Sequence, residues 1–187
     1  MTDSQLIRQI KEGDINLYSE LILRYEKKLT NFIMNILKGT QISDYAEDIC
    51  QETFYKAYRS LHTFRDEEAT FSTWLYTIAR NTALSELRKV QTVEVSLEET
   101  LPNLQVSNLF LPEQELLRNE RVNKVREAIN TLPEKQRTAL ILREYEQMEY
   151  NEIALVLNAT VSSVKSLLFR ARSGIKYKLE DYEGVQG

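Results

Sequence analysis

Residues 150–172 read YNEIALVLNATVSSVKSLLFRAR, a short amphipathic segment, a brief polar break and a longer second segment. In the first, Ile153, Ala154 and Leu157 share one face. In the second, Val161, Val164, Leu168, Ala171 and Ile175 recur every three or four residues, which predicts a helix with a narrow buried stripe. Asn158-Ala159-Thr160 has the length of a tight inter-helix turn, and Asn tolerates the left-handed backbone such turns need. The pair is therefore predicted to be a helix-turn-helix. Ser162, Ser166, Arg170 and Ser173 lie opposite the buried stripe, and Lys165, Phe169, Arg172 and Lys176 run along its side. Residues 158–179 hold five basic side chains and no acidic one. Cations neutralise phosphates, and Arg, Lys and Ser reach base edges in a major groove, so this face suits duplex DNA. The competing possibility is a merely solvated basic helix.

Working outward, the rest of the chain is also helical in pattern. Five glycines and three prolines in 187 residues are too few for turn-dense β architecture. Leu6, Ile7 and Ile10, stopped by Gly13, mark a short opening helix, and Leu17 to Leu37 a long one closed by Gly39. Ser43 is placed to cap a third helix reaching about Leu61, and a fourth runs from near Thr70 to near Lys89. Pro112 opens a fifth helix, and Pro133 is placed at the first position of a sixth. Between the fourth and fifth helices, residues 90–112 contain Glu94, Glu98 and Glu99, two prolines and no Lys or Arg, with leucines that keep no period. The expectation is an all-α chain of two small helical domains, 1–90 and 113–187, joined by a flexible acidic linker at 91–112, the C-terminal domain being the helix-turn-helix.

Composition narrows the chemistry. A single cysteine excludes a disulfide framework and a cysteine zinc cage. One histidine, His62, excludes two-histidine metal motifs, and the scattered glycines form no phosphate loop. No metal, no cofactor and no catalytic constellation is expected, so the chain is not read as an enzyme. The polar N-terminus and the lack of a long apolar run predict no signal peptide and no membrane insertion of its own, hence a cytoplasmic protein. With 24 basic and 28 acidic residues, net −4, and one basic patch, weak DNA binding by the chain alone is expected.

Two further faces stand out in the N-terminal half. On the third helix Ala46, Ile49, Cys50, Thr53, Phe54, Ala57 and Leu61 cluster inward, placing Asp48, Gln51, Glu52, Tyr55 and Arg59 outside. Such a mixed stripe is usually a solvated face, and composition does not tell it from a docking surface. On the fourth helix Phe71, Leu75, Ile78, Ala79 and Thr82 face inward, while Thr77, Arg80, Asn81, Leu84 and Arg88 face away, with Trp74 and Tyr76 at the margins. Aromatics interleaved with Asn and Arg suit unstacked bases, although a Trp at helical spacing is by default core.

Four stretches, AEDICQETFYKAYRSL (46–61), FSTWLYTIARNTALSELRK (71–89), LPEKQRTALILREYE (132–146) and YNEIALVLNATVSSVKSLLFRAR (150–172), resemble in order and spacing the extracytoplasmic-function (ECF) sigma factors of bacterial RNA polymerase. The resemblance covers nearly the whole chain. It implies a sigma region 2 type domain at the N-terminus and a region 4 type domain at the C-terminus. It implies that Asp48, Gln51, Glu52 and Tyr55 dock on core RNA polymerase. Phe71, Ser72, Thr73 and Trp74 match the promoter-melting segment, and Asn81 a position reading the single-stranded minus-ten element. Thr77, Arg80, Leu84 and Arg88 lie on the same minus-ten surface, and the loop from His62 to Thr70 would hold a flipped base, whose extraction costs a few kcal/mol. Ser162, Lys165, Ser166, Phe169, Arg170 and Arg172 would contact the duplex minus-thirty-five element. Leu167, Asn158, Ser162 and Ser85 depart from the residues usual in the family. The partners implied are core polymerase, promoter DNA and an anti-sigma factor. The function implied is promoter-specific initiation with assistance to melting. A stand-alone helix-turn-helix regulator is the competing reading, but it leaves the stripe at Asp48–Glu52 and the melting segment unexplained; a helical adaptor with no DNA role is a third, which the basic recognition helix opposes.

Overall fold

The structure, a computed structural model, describes residues 1–94 and 113–184; the side chains of 91–94, 113–119, 121 and 181–184 are not described. Among the described residues every regular element is helical. The expected linker lies outside them, apart from residues 91–94, which continue the fourth helix.

The N-terminal domain is built from α1 (Asp3–Glu12), α2 (Tyr18–Leu37), α3 (Ala46–Ser60) and α4 (Phe71–Glu94). A reciprocal capping box starts α1, Thr2 Oγ1 accepting from Gln5 N–H and Gln5 Oε1 from Thr2 N–H, which satisfies donors a helix start otherwise leaves open. Gly13 ends it at φ +119, a backbone region that L side chains rarely adopt. Helices α2, α3 and α4 then close around Leu21, Leu29, Phe32, Ile33, Ile49, Phe54, Leu75 and Ala79, all buried. These are the positions the helical period assigns inward. Two details differ from expectation. Ser43 begins a short 3-10 turn, Ser43–Tyr45, and Tyr45 heads α3 without a side-chain cap. Tyr76, expected at the margin, is fully buried, its ring edge-on to Phe32 at 4.8 Å.

The C-terminal domain comprises α5 (Glu113–Asn130), α6 (Glu134–Glu144), α7 (Tyr150–Leu157) and α8 (Val161–Gly184). Pro133 sits one place earlier than expected, as the extended N-cap of α6 at φ −53, ψ 147; Pro112 lies outside the described residues. The axes of α7 and α8 are turned by 95°, within the helix-turn-helix range. Asn158 makes the turn at φ 49, ψ 55 and donates its N–H back to α7, so Asn performs here what Gly does in most left-handed caps. Thr160 starts α8, its Oγ1 accepting from Ser163 N–H at 3.1 Å. Val164, Leu168 and Ala171 are buried as expected, but Val161 is 39% exposed because it lies in the first turn, ahead of the packing against α6. We expect Asn158→Ala to lose ~1 kcal/mol of stability through the left-handed penalty, and Asn158→Gly to be neutral within ~0.5 kcal/mol. Urea unfolding monitored by circular dichroism checks this, and equal losses in both variants would deny the turn its conformational demand.

The two domains touch. α6 packs on α2 and α7 on α4, and the apolar cores run into one another. Polar groups line the seam. The Arg80 guanidinium donates to both Glu134 oxygens at 3.1 and 3.0 Å. Glu152 Oε1 accepts from Thr73 at 2.9 Å and Thr70 at 3.1 Å. Arg137 reaches the Ile36 carbonyl at 3.4 Å, and Lys28 pairs with Glu146 at 3.6 Å. Among the described residues, the buried Tyr76 hydroxyl oxygen and Arg137 Nε make no hydrogen bond, at a cost of ~1–3 kcal/mol each.

Candidate polymerase and nucleic-acid interfaces

On α3 the sequence period works in both directions. The inward positions pack on α2 and α4, and Asp48, Gln51, Glu52 and Tyr55 are left exposed along the outer face. Glu52 pairs with Lys56 at 3.5 Å, and Arg59 lies on the Tyr55 ring 5.9 Å from its centre. Beside this stripe α2 and α3 leave an open groove of ≈ 1070 Å³, with Ile22, Met34, Gln51, Phe54, Tyr55 and Tyr58 in its walls. An exposed carboxylate row thus runs beside apolar groove walls. Cys50 is buried beneath it, its Sγ 3.8 Å from the Glu26 carbonyl, and burial pushes its thiol pKa up. That environment disfavours the thiolate and leaves the thiol inert.

The α4 face is shared between helix and loop. Thr70 caps the helix by accepting from Thr73 N–H at 3.2 Å. Phe71 is buried, with Trp74 half-buried above it, and Phe64 from the preceding loop completes a three-ring cluster at centroid distances of 5.3–5.9 Å. Trp74 thus belongs partly to the core and partly to the surface. Ser72, Thr77 and Leu84 are half-buried; Asn81 and Arg88 are exposed. Arg88 Nε also donates to the Leu84 carbonyl at 3.3 Å.

Arg80 is the main correction. Expected on the outward face, it is only 6% exposed, because Glu134 of the other domain covers it. Thr73 is 1% exposed for the same reason, under Glu152. Tyr76 lies in this seam as well; burial first, and then the nearby Glu146 carboxylate, raise its phenol pKa far above the ordinary value. Glu134, Glu146 and Glu152 were not singled out from the sequence. The only available signal was that α6 and α7 begin or end in carboxylates, which helix capping alone explains.

The α8 face is open. Ser162, Lys165, Ser166 and Arg170 are exposed, and Phe169 projects at 72% exposure. Arg172 is tied back to α6 by Glu144 at 2.8 Å, so it buttresses the helix and offers its charge to a ligand less freely than Lys165 or Arg170. The face is exposed and basic.

Among the described residues no cluster of three His, Cys, Asp or Glu side chains could hold a metal ion. No single helix there is long and apolar enough to cross a membrane.

Residues 21–92 match Sigma-70 region 2, and residues 123–173 match Sigma-70, region 4. The RNA polymerase sigma-H factor of Pseudomonas aeruginosa is 37% identical, covering 95% of this chain and 94% of that one. The ECF RNA polymerase sigma-E factor of Haemophilus influenzae is 36% identical over 96% of each. In fold, the chain resembles the sigma factor RpoE of Bartonella quintana, solved with the anti-sigma factor NepR, at a TM-score of 0.68, 24% identity and coverage of 87% and 96%. It also resembles CnrH, solved with the cytosolic domain of CnrY, at 0.65, 21% identity and coverage of 96% and 97%.

Proposed function

The chain belongs to the ECF RNA polymerase sigma factors, with a region 2 and a region 4, and from that premise we propose how its three faces divide the work of directing core polymerase to promoters and assisting melting. The observation that carries the division is the turned pair α7 and α8, which holds Ser162, Lys165, Ser166, Phe169 and Arg170 outward on one exposed stripe. That stripe reads the duplex minus-thirty-five element. Arg170 is long enough for a bidentate base contact, Lys165 for a phosphate. Phe169 offers an apolar surface to a thymine methyl.

The α3 stripe Asp48, Gln51, Glu52 and Tyr55 docks on core polymerase, its acidic row seeking a basic or amide-rich partner surface. The α4 face engages the single-stranded minus-ten element. Phe71, Ser72, Thr73 and Trp74 begin the melted segment, Asn81 reads a base edge, and Thr77, Arg80, Leu84 and Arg88 frame the backbone path. The three-ring cluster gives the loop 62–70 a firm floor on which an unstacked base can rest. The domain division follows the faces: 1–90 for core docking and minus-ten, 113–187 for minus-thirty-five, with the linker 91–112 between. Catalysis stays with the polymerase. The protein works where that enzyme works, in the cytoplasm. An anti-sigma factor is a further proposed partner, supported by the two structural neighbours solved in such complexes.

Transcription in vitro over a promoter library, with and without core polymerase, tests this function. Promoter-selective initiation only in the presence of core is the expected result. Palindrome binding by the protein alone, with no core-dependent transcripts, would instead establish a stand-alone regulator. At residue level, Arg170→Ala is expected to reduce open-complex formation about tenfold at promoters with a strong minus-thirty-five element. Lys165→Ala should weaken all promoters to a similar, smaller extent and flatten the salt dependence by about one unit of slope. Promoter titrations at several salt concentrations separate the two behaviours.

A further inference from the structure

We propose that Lys11, on α1, is a positioning residue for the loop 62–70: its ammonium fixes the Phe64 end of that loop and so sets how selectively the loop holds an unstacked base. The proposal rests on the assignment of the loop and α4 to the single-stranded minus-ten element. Lys11 Nζ donates to the Phe64 carbonyl at 2.7 Å, across 53 positions of sequence. It also lies 5.7 Å from the centre of the Phe64 ring, within reach of a cation–π attraction. α1 precedes residues 21–92, the stretch that matches Sigma-70 region 2, so this contact reaches the loop from outside the shared pattern.

The loop needs an outside tie. Beyond the turn Leu61–Thr63 its internal backbone bond is Glu68 N–H to the Arg65 carbonyl at 3.2 Å, and among the described residues no backbone N–H donates to the Phe64 carbonyl. Phe64 is extended at φ −64, ψ 134, so the chain leaves its 3-10 turn there. The Phe64 ring packs on Phe71 and Trp74, but ring contacts tolerate sliding and rotation, whereas a hydrogen bond from a charged donor is directional. The rings therefore hold Phe64 down, and Lys11 sets the direction in which the chain continues toward Thr70.

α1 is equipped for that role. Leu6, Ile7 and Ile10 are buried, which anchors the helix. Gly13 and Asp14 donate their N–H groups to the Ile10 and Gln9 carbonyls at 3.1 and 3.0 Å, so the Lys11 ammonium is not needed at its own helix end. Toward the start of α1, Asp3 accepts from the Tyr25 hydroxyl, and the Tyr25 ring stands edge-on to Phe71 at 5.6 Å. One short helix thus braces both Phe64 and Phe71.

The test uses the full chain. Lys11→Met removes the donor and keeps the bulk, and Lys11→Arg restores a donor. Arg8→Met makes the same charge change elsewhere on α1, at an exposed position. Trp74 is the only tryptophan in the chain, so its emission reports directly on the ring cluster. Lys11→Met is expected to shift that emission to the red and raise its quenching by acrylamide, with helix content unchanged by circular dichroism. Lys11→Arg and Arg8→Met should keep the wild-type spectrum. Selection is read with core polymerase and a promoter library randomised over the minus-ten element behind one fixed minus-thirty-five element. Lys11→Met should lose about fivefold in preference at a single minus-ten position, and Lys11→Arg should regain it. Unaltered Trp74 emission removes the brace, and a shifted emission with unaltered preference denies it any part in selection; either overturns the proposal. So does equal weakening of every promoter with a salt slope lower by about one unit, which would make Lys11 a phosphate contact. A wild type that selects no minus-ten sequence with core polymerase overturns the assignment of the loop itself, whatever the spectra show.

Discussion

Asp48→Arg is expected to reduce core-dependent transcription about a hundredfold, because a like-charge clash at a docking surface costs several kcal/mol. Asp48 is exposed in the first turn of α3, where a carboxylate also favours the helix N-terminus. Removing it therefore costs the fold only ~0.5–1 kcal/mol, too little to unfold the domain or account for the loss. The decisive comparison titrates wild type and variant into core polymerase at a fixed promoter, with circular dichroism showing intact helices in both. Undiminished transcription by Asp48→Arg would remove α3 from the docking surface. A loss that saturating protein restores would instead place Asp48 at the periphery of the contact.

Phe32→Ala is expected to destabilise the N-terminal domain by ~3–5 kcal/mol, the range for emptying a large aromatic site in a close-packed core. Phe32 is 1% exposed and supports the Tyr76 ring at 4.8 Å, so its removal leaves a cavity against a side chain whose hydroxyl already has no partner. Neighbouring Leu29 and Ile33 are held by the helix on which Phe32 itself sits, and they cannot swing in to fill the space. In thermal melts the loss corresponds to a drop of roughly 12–40 °C in a unit the size of this domain. A change below ~1 kcal/mol in denaturant unfolding would show that the α2–α4 contact is looser than the ring geometry indicates.

The helices themselves were legible because each carries its own period. The inward sets on α3 and α7 are buried position for position, and that on α8 at Val164, Leu168 and Ala171 but not at Val161 or fully at Ile175; Asn158 was readable as the turn because its chemistry is local. What could not be read was Arg80. Periodicity places it opposite the stripe that packs within its own domain, and it says nothing of a second domain arriving over that opposite side. Thr73 escaped for the same reason. Tyr76 was assigned to a margin because one edge of its ring meets α2 and the other the seam, and only the first is local in pattern. The exposed stripes on α3 and α8 were foreseen because nothing folds back onto them. The functional assignment of those stripes came from resemblance across the whole chain, since exposure and charge alone fit a solvated surface as well as a binding one.

The seam joins residues far apart along the chain: Thr73 and Glu152 are separated by 79 positions, Arg137 and Ile36 by 101. Within either domain the packing partners lie nearer along the chain, α2 against α3 and α4, and α8 against α5, α6 and α7, and proteins dominated by local contacts fold fast. On the ribosome, where chains emerge at ~5–20 residues per second, α1 to α4 therefore complete their own core seconds before α6 and α7 exist. Each newborn molecule passes through an interval in which Arg80 and Thr73 are uncovered. Domain docking follows as the last step, and the order of synthesis from N- to C-terminus determines that the α4 face is made first and covered afterwards.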